Sequence, residues 1–214
     1  MHALILANGA APEAVHAARA ALRADLIIAT DGAANTAISL GITPHIVCGD
    51  FDSLNVEETQ KRLPITEFLS TPDQNYGDME KALEIAEKLG VKSVTILGAA
   101  GGRIDHTLAN FALLLSWHKR LDITIEEGAG QVRALSGKLD EPFIYRFAAH
   151  PGDTLSLIAA SPSTVSISGV RWPLEQFHLL PGTRAVSNEV TSEEVQATVL
   201  DGELFLCMLN KEIV

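Results

Sequence analysis

The sequence predicts a mixed fold: a mostly parallel α/β sandwich over residues 1–127, followed by an antiparallel β-sandwich or barrel over residues 128–214. In the first half, short buried-strand patterns alternate with helical patterns, and this alternation favours a parallel sheet covered by helices on both faces. After Gly128, short apolar runs are separated by Pro, Gly, Ser and Asp, and no helical period remains. Such a pattern is typical of an antiparallel β-domain. This change in the residue pattern places the domain boundary near residues 127–130.

The elements of the first half follow from apolar runs and from helix boundary signals. Strands are expected where short runs rich in Ile, Leu and Val end at polar residues or glycine. A helix is expected where Pro12 opens an alanine-rich stretch, and two others are expected to end at Gly41 and Gly90. The predicted strands are 3–7, 26–30, 45–48, 65–69, 93–97 and 123–126, and the predicted helices are 12–22, 33–40, 79–86 and 104–115.

The elements of the second half are predicted from apolar runs alone. Each run is short enough for a strand and is bounded by residues that favour turns. The predicted strands are 131–135, 143–147, 154–159, 164–170, 195–200 and 204–208.

The charge and cysteine content exclude several classes of partner. Acidic residues outnumber basic ones 27 to 16, for a net charge of −11, which argues against nucleic acid or an anionic membrane as a partner. The two cysteines, Cys48 and Cys207, each lie in an apolar run, which predicts buried thiols in a reducing compartment. The first residues lack a basic segment before a long apolar run, and no stretch is long and apolar enough to span a membrane. A cytoplasmic protein is therefore expected.

Acidic residues recur where predicted strands end or helices begin. Asp50 and Asp52 follow the strand 45–48, and on an extended backbone their side chains would point to the same side. The two carboxylates repel each other unless a cation is bound. Mg²⁺ is a suitable cation, because proteins bind it through carboxylates together with phosphate oxygens. A solvated turn also accommodates an Asp-x-Asp pair. Asp31 and Asp78 lie at helix starts, where each side chain can equally cap backbone N–H groups.

A glycine-rich turn, residues 98–102, precedes Arg103, Asp105 and His106. A turn of this kind lets the backbone approach an anion and leaves N–H groups free to bind it, although it can also be a tight connection. The turn matches neither the P-loop nor the dinucleotide-binding motif. His106 is expected to be structural. Because ligands bind at the carboxyl edge of open α/β sheets, the acidic sites and this turn together predict Mg²⁺-dependent phosphoryl transfer.

These motifs resemble those of the thiamine pyrophosphokinase family. The shared motifs, in order, are Asp-Gly-Ala-Ala-Asn at 31–35, Gly-Asp-Phe-Asp-Ser at 49–53, Asp-Met-Glu-Lys-Ala-Leu at 78–83, Gly-Gly-Arg-Ile-Asp-His at 101–106, Gly-Val-Arg-Trp-Pro-Leu at 169–174 and Ser-Asn-Glu at 187–189. The resemblance implies an enzyme that moves the pyrophosphoryl group of ATP to the hydroxyl of thiamine, giving thiamine diphosphate and AMP. It also implies a homodimer in which one chain's catalytic domain meets the partner's β-sandwich at each active site.

The resemblance also implies roles for individual residues. Asp50 and Asp52 would hold Mg²⁺ on the ATP phosphates, with Asp78 as a further metal or nucleotide ligand. Arg103 would face the phosphates, and Asp105 would lie near the thiamine aminopyrimidine or the attacking hydroxyl. The residues assigned to ATP or thiamine binding are Asp31, Gln74, Lys81, Gly102, Trp172, Ser187 and Asn188. Among these, Asp31 would support nucleotide binding, Gln74 and Lys81 would contact phosphate, and Trp172 would stack on the thiamine pyrimidine.

From the residues alone, the alternative for Trp172 is a position in the core. Trp117 is expected in the core or at a domain interface.

The chain departs from the family pattern at two positions. Ala33 replaces a second glycine after Asp31-Gly32, and Gly77 replaces a threonine before Asp78. Both changes are expected to affect the local geometry.

Because Cys48 has no activating neighbour, the expected reaction is direct transfer without a covalent enzyme intermediate. The residues leave open whether Asp105 or Asp78 accepts the hydroxyl proton.

Three alternatives accompany this interpretation. The first is a pyrophosphokinase acting on another alcohol, such as a pterin. The second is a phosphatase of the haloacid dehalogenase type, but Leu54 stands where that family has Thr or Val after its second aspartate. The third is a non-catalytic sensor of thiamine or nucleotide that keeps the same fold.

Overall fold

The computed structural model describes residues 1–52, 54–73, 75–128 and 130–211. It divides into two compact units, Met1–Glu127 and Gly128–Val214. Ser53, which belongs to one of the motifs above, and Gln74, which the resemblance assigns to phosphate binding, lie outside the described residues.

The N-terminal unit is an α/β sandwich built on a parallel sheet. In chain order its elements are β1 (His2–Leu6), α1 (Ala14–Arg23), β2 (Leu26–Thr30), α2 (Ala33–Ser39), β3 (Ile46–Gly49), α3 (Val56–Arg62), β4 (Glu67–Ser70), α4 (Asp78–Lys88), β5 (Ser93–Leu97), α5 (Ile104–Trp117) and β6 (Asp122–Glu127). The sheet order is β6-β5-β1-β2-β3-β4, and neighbouring strands pair in parallel. The chain winds from β1 towards β4 and then crosses to β5 on the other side of β1. The carboxyl ends of these strands therefore form the edge at which ligands bind in such folds.

The core of this unit lies between the sheet and its helices. Leu4 and Leu6 of β1 are buried and pack with the alanine-rich faces of α1 and α2. The small alanine side chains let the helix axes approach the sheet closely, and the alternation of side chains along β1 sends Ala3 and Ile5 to the other face. Trp117, at the end of α5, is 1% exposed, so the expected buried position is confirmed.

The sequence prediction missed α3 in this unit. Its boundary signals are nevertheless clear: the Asn55 side chain accepts a hydrogen bond from Glu58 N, acidic residues fill the first turn, and Lys61 and Arg62 lie in the last. Only Thr59 of this short helix is buried, so the apolar period that reveals a helix is weak. Within the part of the chain that the structure describes, no helix is both long and apolar enough to cross a membrane.

The C-terminal unit is made of antiparallel strands. Its elements are β7 (Gly130–Gly137), β8 (Phe143–Ala148), β9 (Thr154–Ala159), β10 (Ser163–Ser168), β11 (Leu174–Leu179), β12 (Ala185–Glu189) and β13 (Glu194–Leu209). The first half of β13 pairs with β8 and β10, and its second half pairs with β7 and β9. Strand β11 extends the first group, and β12 extends the second. An apolar core lies inside this unit.

Two predictions for this unit were wrong in detail. The separate strands expected at 195–200 and 204–208 are one strand, β13, and β11 and β12 were missed. Asp201 and Gly202 look like a turn in the sequence, but the chain continues through them with Gly202 at φ +95°, a conformation that glycine adopts without strain. A strand can cross from one sheet to another at such a bend. The predicted fold class, α/β followed by an antiparallel β-domain, is confirmed.

Candidate active site

Three carboxylates converge at the carboxyl edge of the parallel sheet. Asp31 follows β2, and Asp50 and Asp52 follow β3. One oxygen of each side chain lies within 4.8 Å of the other two. Asp31 is 3% exposed, whereas Asp52 is open to solvent. Three carboxylates this close repel one another strongly, so the arrangement favours a bound cation. Hard oxygen donors of this kind fit Mg²⁺.

The backbone that joins Asp50 to Asp52 is a turn, and the expected extended geometry was wrong. Phe51 lies at φ +63°, in the left-handed region that a bulky residue rarely occupies. Asp50 Oδ1 accepts a hydrogen bond from Asp52 N at 3.2 Å. The Phe51 ring packs against Phe68 with a centroid distance of 6.1 Å. Strain held by neighbouring packing is typical of functional sites.

Asp31 reaches this group because Gly49 has no side chain. A Cβ atom on Gly49 would lie 2.6 Å from Asp31 Cβ and 2.8 Å from its Cγ. Strands β2 and β3 pair Thr30 with Cys48, so the residues that follow, Asp31 and Gly49, lie next to each other. Asp31 Oδ1 also accepts a hydrogen bond from Gly32 N at 2.5 Å. The carboxylate thus supports the start of α2 and takes part in the acidic group.

Asp78 and Lys81 form a partly buried ion pair. Lys81 Nζ donates to Asp78 Oδ1 at 3.1 Å, and the Lys81 side chain is 8% exposed. Among the described residues, Asp78 is not part of the three-carboxylate group. Burial, together with the charges of Asp78 and Asp31, raises the pKa of the nearby Cys48 thiol to about 12. Cys48 is therefore protonated at neutral pH and is not a nucleophile.

Backbone hydrogen bonds join the glycine-rich turn to the loop after β1. Gly9 N donates to Gly98 O at 2.7 Å, and Ala10 N donates to Ala100 O at 2.7 Å. The N–H of Ala100 itself is bound by Glu127 Oε1 at 2.9 Å. This N–H is therefore engaged within the fold, although the sequence had indicated a turn with free donors. Gly102 lies at the exposed end of the turn, beside Arg103.

Arg103 and Asp105 form a bidentate ion pair at the start of α5. Arg103 Nε and Nη2 lie 3.1 and 2.5 Å from the two Asp105 oxygens. The hydrogen bonds from Arg103 lower the pKa of Asp105 to about 2 and raise that of Arg103. Both side chains are more than half exposed. The pair stays charged at neutral pH and faces solvent.

In the C-terminal unit, Trp172 is exposed rather than buried in the core. Its relative exposure is 57%. Asn188 fixes the main chain at this position, because its Oδ1 accepts from Trp172 N at 3.1 Å and its Nδ2 donates to Trp172 O at 2.8 Å. The Arg171 guanidinium carbon lies 5.2 Å from the centroid of the Trp172 ring. An exposed indole beside polar groups can receive a flat ligand.

Ser187 adopts a left-handed backbone conformation, with φ +63°. Its N–H donates to the largely buried Ser156 Oγ at 3.0 Å, on the neighbouring strand β9. The register between β9 and β12 shifts at this point. Sequence reasoning did not identify Ser156 or Glu127, because a buried Ser in a strand and a Glu at a strand end carry no motif.

The fold and the site define a class of enzyme in which an α/β unit with an acidic carboxyl edge is joined to an antiparallel β-unit. Residues 17–125 match the family model for the thiamin pyrophosphokinase catalytic domain, and residues 145–202 match the model for the thiamin pyrophosphokinase vitamin B1 binding domain. The chain belongs to the thiamin pyrophosphokinase family. The enzyme class inferred from the motifs, thiamine diphosphokinase, is confirmed.

Named relatives agree with this assignment, and solved structures share the fold. Thiamin pyrophosphokinase 1 of Caenorhabditis elegans is 27% identical over 78% of this chain and 72% of its own length. Thiamine pyrophosphokinase of Bacillus subtilis is 27% identical over 77% of this chain and 78% of its own length. A crystal structure of the B. subtilis enzyme matches with a TM-score of 0.85 at 22% identity, covering 99% of this chain and 100% of that one. The enzyme from Candida albicans matches with a TM-score of 0.83 at 13% identity, covering 98% and 89%. The structural matches support the shared fold.

Proposed function

We propose that this chain transfers the pyrophosphoryl group of ATP to the hydroxyl of thiamine, producing thiamine diphosphate and AMP. The observation that carries the proposal is the convergence of Asp31, Asp50 and Asp52 at the ligand-binding edge of the α/β unit. Matches to both the catalytic and the vitamin B1 binding models support the two substrates. A cytoplasmic location stays a prediction from the sequence.

In this proposal, Asp31, Asp50 and Asp52 hold Mg²⁺. The donor set fits, since Mg²⁺ is bound by carboxylates together with phosphate oxygens. When bound, the ion neutralises phosphate charge during transfer. Asp31 replaces Asp78 as the third carboxylate of the proposed site, because Asp78 is engaged by Lys81.

The remaining polar residues bind and orient the phosphates. Lys81 carries three N–H donors, and Asp78 accepts one of them, which leaves capacity for a phosphate oxygen. Arg103 is exposed and held by its ion pair with Asp105, and it supplies a second positive charge for the phosphates. The hydroxyl oxygen of thiamine forms a bond to the β-phosphorus while the bond between that phosphorus and the α,β-bridging oxygen breaks. AMP leaves with the bridging oxygen, and the hydroxyl proton is released to water. Positioning and charge neutralisation dominate in such reactions.

Asp105 is a poor candidate for the group that accepts the hydroxyl proton. Its pKa of about 2 makes it a weak base at neutral pH. A loose phosphoryl-transfer transition state needs little base catalysis, because the hydroxyl proton becomes acidic only late in the reaction. We assign Asp105 to orienting Arg103.

A direct assay tests the proposed function. The purified chain is incubated with ATP, Mg²⁺ and thiamine, and AMP and thiamine diphosphate are measured by chromatography. The two products are expected in equal amounts, and only when thiamine is present. Tight thiamine binding without either product would instead favour a sensor, and product formation with a pterin alcohol but not with thiamine would favour the other pyrophosphokinase.

Trp172→Ala is expected to raise the KM for thiamine about tenfold, because an exposed aromatic face stacks on flat or cationic ligands. Trp172→Phe keeps a flat ring and is expected to stay within about threefold of the wild type. The KM for ATP should not change in either variant, since the nucleotide is assigned to the other unit. An equal rise in both KM values would contradict the assignment.

We also propose that the chain is a homodimer in which the catalytic unit of one copy works with the β-unit of the other. Co-expression of Asp52→Ala and Trp172→Ala chains tests this arrangement. In a twofold-symmetric dimer with shared sites, each heterodimer contains one site with no substitution, so about a quarter of wild-type activity is expected at low thiamine. If each site lay within one chain, every site would carry a substitution, and no recovery above the average of the two parents would be seen.

A further inference from the structure

We propose that Trp117 and Glu80 are positioning residues: the hydrogen bond between them fixes the first turn of α4, and this turn holds the Lys81 ammonium group at the edge of the sheet. Both residues act through Lys81, and neither is assigned a contact with a substrate. The inference rests on the proposed function, because that function assigns Lys81 to the phosphates of ATP.

The hydrogen bond joins the first turn of α4 to the end of α5. Trp117 Nε1 donates to Glu80 Oε1 at 3.3 Å. Trp117 is 1% exposed, so the core fixes the position of its ring. Glu80 lies between Asp78 and Lys81, which form the partly buried ion pair. A donor fixed in the core therefore holds the turn that carries this pair.

A second contact links the last turn of α4 to the same tryptophan. Arg120 Nε donates to Glu87 Oε1 at 2.9 Å, and Arg120 Nη2 contacts the other Glu87 oxygen. The Arg120 guanidinium carbon lies 3.7 Å from the centroid of the Trp117 ring. Glu80 and Glu87 are separated by about two helical turns, so they lie on one face of α4. Trp117 thus anchors this face at both ends, directly at Glu80 and through Arg120 at Glu87.

Lys81 lies beside the carboxyl end of β3. Burial raises the pKa of the Cys48 thiol in this strand, and the nearby Lys81 charge partly offsets the rise. Gly49 and Asp50 follow Cys48, so the Lys81 ammonium group is close to the acidic edge at which the ATP phosphates are proposed to bind. A change in the orientation of α4 would therefore change the distance between this cation and the phosphates.

The first turn of α4 needs an anchor because it carries a buried charge. The Lys81 side chain is 8% exposed, and its ammonium group is paired with Asp78. Transfer of an ammonium group from water into a protein carries a desolvation penalty. A small rotation of the first turn would return this group to water and move it away from the edge of the sheet. The hydrogen bond from Trp117 opposes such a rotation, because Glu80 directly precedes Lys81 in the chain.

The test measures the kinetics for ATP and thiamine in Trp117→Phe and Glu80→Ala. The first variant keeps an aromatic ring in the core and removes the N–H donor, and the second removes the acceptor at a partly exposed position. Each is expected to lower kcat/KM for ATP by about threefold to tenfold, the range expected for a single hydrogen bond. The KM for thiamine should not change. Glu80→Gln keeps an acceptor oxygen and is expected to stay within about twofold of the wild type.

A double-mutant cycle with Lys81→Ala separates positioning from a general loss of structure. If Glu80 acts through Lys81, adding Glu80→Ala to Lys81→Ala should not lower kcat/KM for ATP any further. Leu114→Met is the control for altered packing, because Leu114 is 1% exposed and lies in α5. It is expected to change the melting temperature without changing kcat/KM for ATP. Full additivity in the cycle, or wild-type kinetics in both Trp117→Phe and Glu80→Ala, would overturn the proposal.

Calorimetry with ATP and Mg²⁺ separates this inference from the proposed function. If the wild-type protein binds ATP but makes no thiamine diphosphate, the proposed reaction is wrong, and the Kd for ATP in the same variants decides the role of Trp117 and Glu80. If the reaction occurs and Glu80→Ala adds fully to Lys81→Ala, only the inference about positioning fails. A wild-type protein that does not bind ATP would overturn both.

Discussion

Asp52→Ala is expected to lower kcat for thiamine diphosphate formation by at least about 10²-fold, because it removes one of three carboxylates proposed to hold the metal. The stability of the fold should not fall. Asp52 is exposed, and its removal relieves repulsion within a group whose oxygens lie within 4.8 Å of one another. The melting temperature without Mg²⁺ is therefore expected to stay equal or to rise.

The measurement is AMP release at saturating ATP and thiamine over a range of Mg²⁺ concentrations. The wild-type protein should gain thermal stability when Mg²⁺ and ATP are added together, and Asp52→Ala should gain less, since a ligand stabilises only the folded state that binds it. Glu57→Gln is the matched control, because it removes an exposed carboxylate in the first turn of α3 and is expected to keep full activity. Thiamine-dependent AMP release that survives Asp52→Ala would refute the metal assignment.

Gly49→Ala is expected to lower activity about 10²-fold by displacing Asp31, even though alanine is the smallest possible addition. The new Cβ would lie 2.6 Å from Asp31 Cβ, which is attached to the backbone and has little freedom to move. Asp31 is almost fully buried, so overpacking there should also cost about 1–3 kcal/mol of unfolding free energy. Chemical denaturation and the steady-state assay measure the two effects separately.

Gly77→Ser is the control for this substitution. Among the described residues other than its two chain neighbours, no atom lies within 4 Å of a Cβ placed on Gly77, and Ser is a favourable N-cap for α4. This variant is expected to keep its stability and activity. Wild-type activity in Gly49→Ala would mean that the position of Asp31 does not matter for the reaction.

Much of the fold could be predicted from the sequence, because local patterns reflect burial directly. β2 is a continuous buried run, as strands covered on both faces are, and its bounds match the predicted 26–30. β13 shows the limit of this reasoning, since Asp201-Gly202 reads as a turn but lies within one continuous strand. Whether a glycine turns or extends the chain depends on which strands pair beside it, and residue patterns do not contain that information.

The candidate site, too, could be predicted only in part from the sequence. The motifs identify Asp50, Asp52, Arg103 and Trp172 as residues of interest, because charged and aromatic side chains at strand ends and turns are chemically conspicuous. They do not indicate that Asn188 holds the main chain of Trp172, since its hydrogen bonds join segments that are 16 residues apart.

By itself, the sequence determined the class of fold, the family and the acidic residues that recur at strand ends, because each of these is encoded in local order and residue type. Tertiary structure alone decided which carboxylates form one group. Asp31 lies beside Asp50 and Asp52 because β2 and β3 pair in a particular register, Gly49 leaves room for it, and Phe51 turns the chain back. These distances depend on pairing and packing between separate segments, and a pattern of residues along one chain does not specify them.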